Sequence, residues 1–137
     1  MANISLNRIL LVEDDIDIQF IAKMALESVG GFTVQVCSSG QEALDKIPEF
    51  KPELILMDVM MPGMDGLTTF RELKKIEEFK SIPVVFLTAK VQTKEIEIYK
   101  EIGGIDVILK PFDPMTLTET IQNIWSKYLS LKNTPHL

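Results

Sequence analysis

Apolar residues in this chain gather into five short runs: Ile9-Leu10-Leu11-Val12, Phe32 to Val36, Leu54-Ile55-Leu56-Met57, Val84-Val85-Phe86-Leu87 and Val107-Ile108-Leu109. Four of the five lack polar alternation, the pattern of strands buried on both faces of a parallel sheet. Phe32-Thr33-Val34-Gln35-Val36 alternates and reads as a half-buried strand. Between the runs the period changes to that of a helix. Ile18, Ile21, Ala22, Ala25, Leu26 and Val29 fall on one helical face, and Gly30-Gly31 ends it. Ser39-Gly40-Gln41-Glu42 resembles a capping box that opens a short helix to Ile47, with Pro48 and Pro52 bracketing the loop beyond. Asp65 caps a helix expected to reach Glu78. Val91, Ile98 and Ile102 share a face of the fourth helix, which Gly103-Gly104 stops. Asp113 and Pro114 open the last helix as cap and first residue, and its apolar face is Leu117, Ile121, Ile124 and Tyr128.

The order is β-α five times over, which predicts an α/β fold: a five-stranded parallel sheet with helices on both faces. Flavodoxin-like strand order 2-1-3-4-5 is the expected arrangement. The whole chain, 1–137, is expected to form one domain with its core at about 8–129 and a C-terminal tail from 130 to 137.

Composition narrows the function classes. With 20 acidic and 14 basic residues the net charge is −6, and no basic stripe is visible, which argues against nucleic acid as a direct partner. Cys37 is the only cysteine, so one chain can build neither a disulfide nor a thiolate metal site. Residues 1–7 lack a signal-peptide pattern, and no apolar run approaches the roughly 20 residues of a membrane span. A cytoplasmic protein without membrane contact is expected.

Polar groups close four of the runs: Glu13 and Asp14 after the first, Asp58 after the third, Thr88 after the fourth and Lys110 after the fifth. In an open parallel sheet ligands bind beyond the carboxyl ends of the strands, where these five side chains would converge. Three clustered carboxylates need a counterion, because two unit charges about 4 Å apart repel by about 4 kcal/mol at an effective dielectric of about 20. Magnesium suits such oxygen ligands and bridges to phosphate. Asp14 and Asp58 would ligate directly and Glu13 through a water. Asp58 is the candidate nucleophile toward phosphorus, Lys110 the cation facing the phosphoryl charge, and Thr88 a hydroxyl donor whose movement offers a switch.

Over about residues 8–129 the chain resembles the receiver domain of two-component response regulators, in the single-domain, chemotaxis-regulator-like form. The likeness rests on Ile-Leu-Leu-Val-Glu-Asp-Asp at 9–15, Asp58 with Met-Met-Pro-Gly-Met-Asp-Gly at 60–66, Leu-Thr-Ala at 87–89 and Lys-Pro-Phe at 110–112. Separations of 44 from Asp14 to Asp58, 30 to Thr88 and 22 to Lys110 match in order. The resemblance implies phosphorylation of Asp58 by a histidine kinase or histidine phosphotransfer protein. It also implies Mg2+ (or Mn2+) held by Glu13, Asp14, Asp58 and the backbone carbonyl of Met60, and a cis peptide between Lys110 and Pro111. Alignment on Val12 makes Glu13 and Asp14 the acidic pair rather than Asp15. Lys90 and Met60 are expected to tune hydrolysis. One position departs from the family: an aromatic residue commonly stands three before the lysine, and here it is Val107, so loop movement after Thr88 would carry the signal.

Some residues carry plainer readings. Asp65 is a helix cap, Cys37 a small buried hydrophobe, and His136 lies in the tail. Ile16 and Phe20, with Lys23 and Glu27, fall opposite the apolar face of the first helix and are expected to dock the helix bearing the donor histidine. Outer Ile96 and Asp106 form a second candidate contact. Output would come from a separate effector protein, with the chain a monomer or a phosphorylation-dependent dimer. A phosphorelay intermediate or a phosphorylation-independent binding module is an alternative. A magnesium phosphohydrolase would want a second carboxylate at Met60, and a flavin protein would not place Glu-Asp-Asp after its first strand.

Overall fold

The computed structural model describes residues 5–89 and 93–132, the side chains of Thr93 and Glu95 apart. Strands and helices alternate as β1 (Arg8–Val12), α1 (Ile16–Ser28), β2 (Thr33–Cys37), α2 (Gly40–Phe50), β3 (Leu54–Asp58), α3 (Gly66–Lys75), β4 (Val84–Thr88), α4 (Thr93–Glu101), β5 (Asp106–Leu109) and α5 (Pro114–Lys132). The sheet is parallel throughout in the order β2-β1-β3-β4-β5, the flavodoxin-like arrangement expected.

Successive strand residues point to opposite faces, and both faces are covered. Ile9, Leu11, Leu54, Leu56, Val85, Leu87 and Ile108 pack with Ala22, Ala25 and Leu26 of α1 and Leu117 and Ile121 of α5. Leu10, Val12, Ile55, Met57, Val84 and Phe86 pack on the other face with α2, α3 and α4 through Ala43, Ile47, Phe70, Leu73 and Tyr99. This is why the central strands read as continuous apolar runs. Register places the strand ends side by side: Val12 pairs with Met57, Asp58 with Leu87, and Thr88 with Leu109. A one-residue slip would turn an entire core face to solvent, so the packing of the interior sets the placement of the polar residues at the rim.

Several expected boundaries shift for identifiable reasons. β2 begins one residue later, at Thr33. α1 buries only Ala22, Ala25 and Leu26. Ile21, at the edge of the expected stripe, and Val29, at the C-cap past the last turn, are exposed. Pro48 lies inside α2 rather than in the loop after it. Its missing N–H falls in the last turns, and the helix closes through Lys51, left-handed at φ 54°, whose N–H reaches the Ile47 carbonyl. The expected capping box takes a shifted form, with Ser39 Oγ accepting from the Glu42 N–H and Glu42 accepting from the N–H of Ser38 instead of Ser39. α3 stops at Lys75, where Ile76 turns to extended geometry. α5 runs three residues into the expected tail; residues 133–137, including His136, lie outside the described part.

The largest change concerns α4. Ile98 and Ile102, expected inward, are exposed, while Tyr99 is buried with its ring 5.4 Å from that of Phe86. Ile96, expected outward, is half-buried. In a helix of nine residues the widest side chain sets the phase, since an aromatic ring buries the most apolar area. Lys90 and Val91 lie outside the described residues.

Gly66 opens α3 where the chain doubles back on β3. A Cβ there would lie 2.2 Å from the Asp58 carbonyl oxygen and 2.9 Å from Val59 Cα, so only glycine admits this approach of helix to strand end. Gly66→Ala should cost about 2 kcal/mol or more. Denaturant unfolding checks this; a loss no larger than about 0.5 kcal/mol would show that the contact yields freely.

Candidate functional site

The carboxyl edge of the sheet gathers the polar strand ends into one pocket. Glu13 follows β1, its N–H bonded to the Cys37 carbonyl of β2 at 2.9 Å. Asp58 is the last residue of β3 and Thr88 the last of β4. Lys110 follows β5, and its N–H bonds to the Thr88 carbonyl at 2.8 Å. Glu13, Asp58 and Thr88 are buried; Asp14 is the least buried of the three acids. Carboxylate oxygens of Glu13, Asp14 and Asp58 all lie within 4.8 Å of one another.

Lys110 reaches across the sheet into this cluster. Its Nζ lies 3.0 Å from Glu13 Oε1 and 3.1 Å from Asp58 Oδ1. Burial pushes the ammonium pKa down, but hydrogen bonds and charge from Glu13 and Asp58 outweigh it, and the net shift is upward. One cation does not satisfy three acids. Glu13 is pushed up to about 7, chiefly by burial and then by its neighbour Asp58, against the lowering effect of the Asp15 N–H and of Lys110. Asp58 Oδ1 also accepts from the Met60 N–H at 3.2 Å. The Lys110–Pro111 peptide is cis.

Converging hard oxygen donors with an unmet negative charge suit a divalent cation such as Mg2+, and suit a thiophilic metal poorly. Glu13, Asp14 and Asp58 are the residues that could hold it. Asp15 does not join them: it is the N-cap of α1, accepting from the N–H groups of Asp17 at 2.9 Å and Ile18 at 3.2 Å. Asp65 caps α3 as expected, accepting from the Thr68 N–H at 2.8 Å. Cys37 is fully buried, and burial followed by the charge of Glu42 pushes its thiol up to about 12, which leaves it unreactive.

Around the rim the expected contact residues divide. Ile16 and Phe20 stand out from α1, 75% and 66% exposed. Asp106 is half-buried, 3.6 Å from Lys100 and accepting from the Val107 N–H. Val107 packs against the cluster that contains Phe86 and Tyr99; the aromatic ring of this region is carried by α4 instead of β5. Two features escape sequence reading. Gln19 contacts the loop after β1, and an apolar groove of about 250 Å³ begins at Lys110 and runs between Ile18, Ile21, Pro111, Phe112 and Pro114. The groove joins elements distant in sequence, and the Gln19 amide reaches a carbonyl that only the turn into α1 brings near.

This fold and site define a class. Residues 9–122 match the family model of the response regulator receiver domain, and the chain belongs to that family. It is 36% identical over 113 residues to the probable C4-dicarboxylate response regulator DctR of Halalkalibacterium halodurans, covering 82% of this chain and 48% of that protein. It is 34% identical over 128 residues to the transcriptional regulatory protein CpxR homolog of Haemophilus influenzae, covering 93% of this chain and 54% of that one. Among solved structures it is similar to the chemotaxis response regulator CheY4 of Vibrio cholerae, with a TM-score of 0.80 and 28% identity over 88% of this chain and 99% of that chain. The chain spans about half the length of the curated relatives it matches. Other such relatives are named DNA-binding response regulators, including MtrA of Mycobacterium leprae, so the charge argument against nucleic acid speaks for these residues alone and gains no support from the family. No helix among the described residues is long and apolar enough to cross a membrane.

Two outcomes follow from the site. An ordinary glutamate releases its proton near 4.5, while Glu13 in the folded chain holds one up to about 7. The folded state therefore binds the extra proton, and that stability is complete below 4.5 and lost as pH rises through 7. In chelator the thermal midpoint should fall between about pH 5 and about pH 8, and Glu13→Gln should flatten the fall; an unchanged slope in the variant would assign the effect elsewhere. Asp15→Ala should cost about 1 kcal/mol as a lost cap yet leave divalent-cation affinity intact, measured by calorimetry.

Proposed function

We propose that this chain is a phosphoacceptor switch: Asp58 takes a phosphoryl group from a phosphohistidine donor in a reaction that needs Mg2+ or Mn2+, and the phosphorylated form changes its association with an effector. The carrying observation is the ammonium of Lys110 seated on both Glu13 and Asp58 within a cluster of three carboxylates. Receiver domains bind Mg2+ in such an acidic pocket. When bound, the cation neutralises the acids and the phosphoryl oxygens so that two anions can meet.

Asp58 Oδ1 is held by Lys110 and the Met60 N–H, which leaves Oδ2 to attack phosphorus. The O–P bond forms as the P–N bond of the phosphoimidazole breaks, its electron pair returns to the ring nitrogen, and a proton is taken up there. With acetyl phosphate, the P–O bond breaks and acetate leaves. Lys110 exchanges its contact with Asp58 for the phosphoryl oxygens, and Thr88, one residue past the strand partner of Asp58, supplies its hydroxyl to another oxygen. Asp14, Asp58 and the Met60 carbonyl would hold the cation, with Glu13 contributing through water. The chain catalyses its own phosphorylation and dephosphorylation and no turnover of other substrates.

The donor is a histidine kinase or histidine phosphotransfer protein. Its helix docks on Ile16, Phe20 and the apolar groove that starts at Lys110, which places apolar contact beside the pocket mouth. Half-buried Ile96 and Asp106 lie at the α4–β5 surface, proposed to meet the effector or a second copy. The setting is cytoplasmic, and residues 1–137 work as a single receiver unit.

Incubation with acetyl phosphate and Mg2+ should add one phosphoryl mass to the intact chain, and Asp58→Asn should abolish it. Release of phosphate from many esters would instead indicate a hydrolase, and a chain that stays unmodified would indicate a binding module independent of phosphorylation. Phe20→Ala should slow labelling by the phosphohistidine donor about tenfold while leaving labelling by acetyl phosphate unchanged; equal loss in both assays would count against docking.

A further inference from the structure

Gln19 sits on the second turn of α1, and its side-chain amide joins two loops. Nε2 donates to the Glu13 carbonyl oxygen at 2.5 Å and to Ser38 Oγ at 3.1 Å. The far anchor is itself fixed. The Ser38 N–H donates to Glu42 Oε1 at 2.5 Å, and the Glu42 N–H to Ser39 Oγ at 3.1 Å. One amide thus ties the exit of β1 to the capped start of α2.

The carbonyl that Gln19 holds belongs to the peptide linking Glu13 to Asp14. A peptide unit is planar, so fixing its oxygen fixes the direction in which the Asp14 backbone leaves. The two neighbouring acids differ in what holds them. Glu13 has Lys110 on Oε1 and the Asp15 N–H on Oε2 at 3.2 Å. For the Asp14 carboxylate no hydrogen bond or ion pair is found among the described residues, although its oxygens lie within 4.8 Å of those of Glu13 and Asp58. Among the described residues, Asp14 is therefore aimed by its backbone alone.

We infer that Gln19 is a positioning residue for the cation site, bracing the Glu13–Asp14 peptide so that Asp14 faces Asp58 before any ligand arrives. This rests on the reading of the pocket as a divalent-cation site. A ligand that is already oriented gives up less conformational freedom on binding, so loss of the brace weakens the cation without removing any ligand atom. Leucine at this position keeps similar bulk and has no N–H to donate.

The test is calorimetric titration of Mn2+ into the full chain, with thermal unfolding in chelator as the structural control. Gln19→Leu should raise the Kd about fivefold or more, the size expected for one lost hydrogen bond, while the metal-free midpoint moves by less than about 3 °C. Ser38→Ala, which removes the outer bond, should raise the Kd less, and Gln41→Leu, whose amide bonds Asp45 on α2, should leave it unchanged. A Gln19→Leu Kd within about twofold of the unaltered chain, or an equal loss from Gln41→Leu, overturns the brace alone. If Gln19→Leu does not fold, Ser38→Ala decides: an unchanged Kd overturns the brace. Absence of Mn2+ binding by the unaltered chain overturns both the brace and the cation reading beneath it.

Discussion

Repulsion among three carboxylates at the ends of neighbouring strands is the constraint around which this molecule is organised. Glu13, Asp14 and Asp58 lie within 4.8 Å of one another, and two of them are buried where charge is poorly solvated. Lys110 relieves part of this through contacts at 3.0 and 3.1 Å. Glu13, pushed up chiefly by burial and then by its neighbour Asp58, keeps its proton to about 7. Such a pocket is poised for added positive charge, and an arriving cation and phosphoryl group together meet that need while a phosphate alone would not.

The cost of assembling like charges is borne by the apolar interior. Both faces of the sheet are packed, and the register that buries Leu56 and Val85 on one side and Met57 and Phe86 on the other also brings Asp58, Thr88 and Lys110 to one edge. Gly66 lets α3 close against the Asp58 carbonyl, and the Asp15 and Asp65 caps start their helices on either side of the pocket. Site residues therefore sit on strand ends and short loops, where backbone hydrogen bonds limit their travel.

Much of this was legible in the linear chain because the relevant signals are local. Continuous apolar runs of four residues identify central strands, and a polar residue closing each run identifies the pocket. What escaped reading depends on tertiary partners. The phase of α4 is set by Tyr99 packing its ring, tilted, against that of Phe86, a contact that isoleucine spacing does not encode. Ile21 and Val29 satisfy the helical period yet lie at the margin of the packed face, 40% and 57% exposed. Pro48 punctuates a sequence but is tolerated in a final turn whose closure falls to Lys51. Gln19 carries no motif, and its importance lies in a carbonyl six residues away that only the turn into α1 brings within reach.

The central claim is that positions 13, 14, 58, 88 and 110 form one cation-dependent phosphoacceptor cavity. A crystal structure of the chain with beryllium trifluoride and Mg2+ addresses it directly, since the fluoride adduct on a carboxylate imitates a phosphoryl group. The account predicts the adduct on Asp58, the metal against Asp14 and Asp58, and Thr88 and Lys110 in contact with the fluorines. An adduct on another residue, or Thr88 and Lys110 turned away from a loaded Asp58, would contradict it.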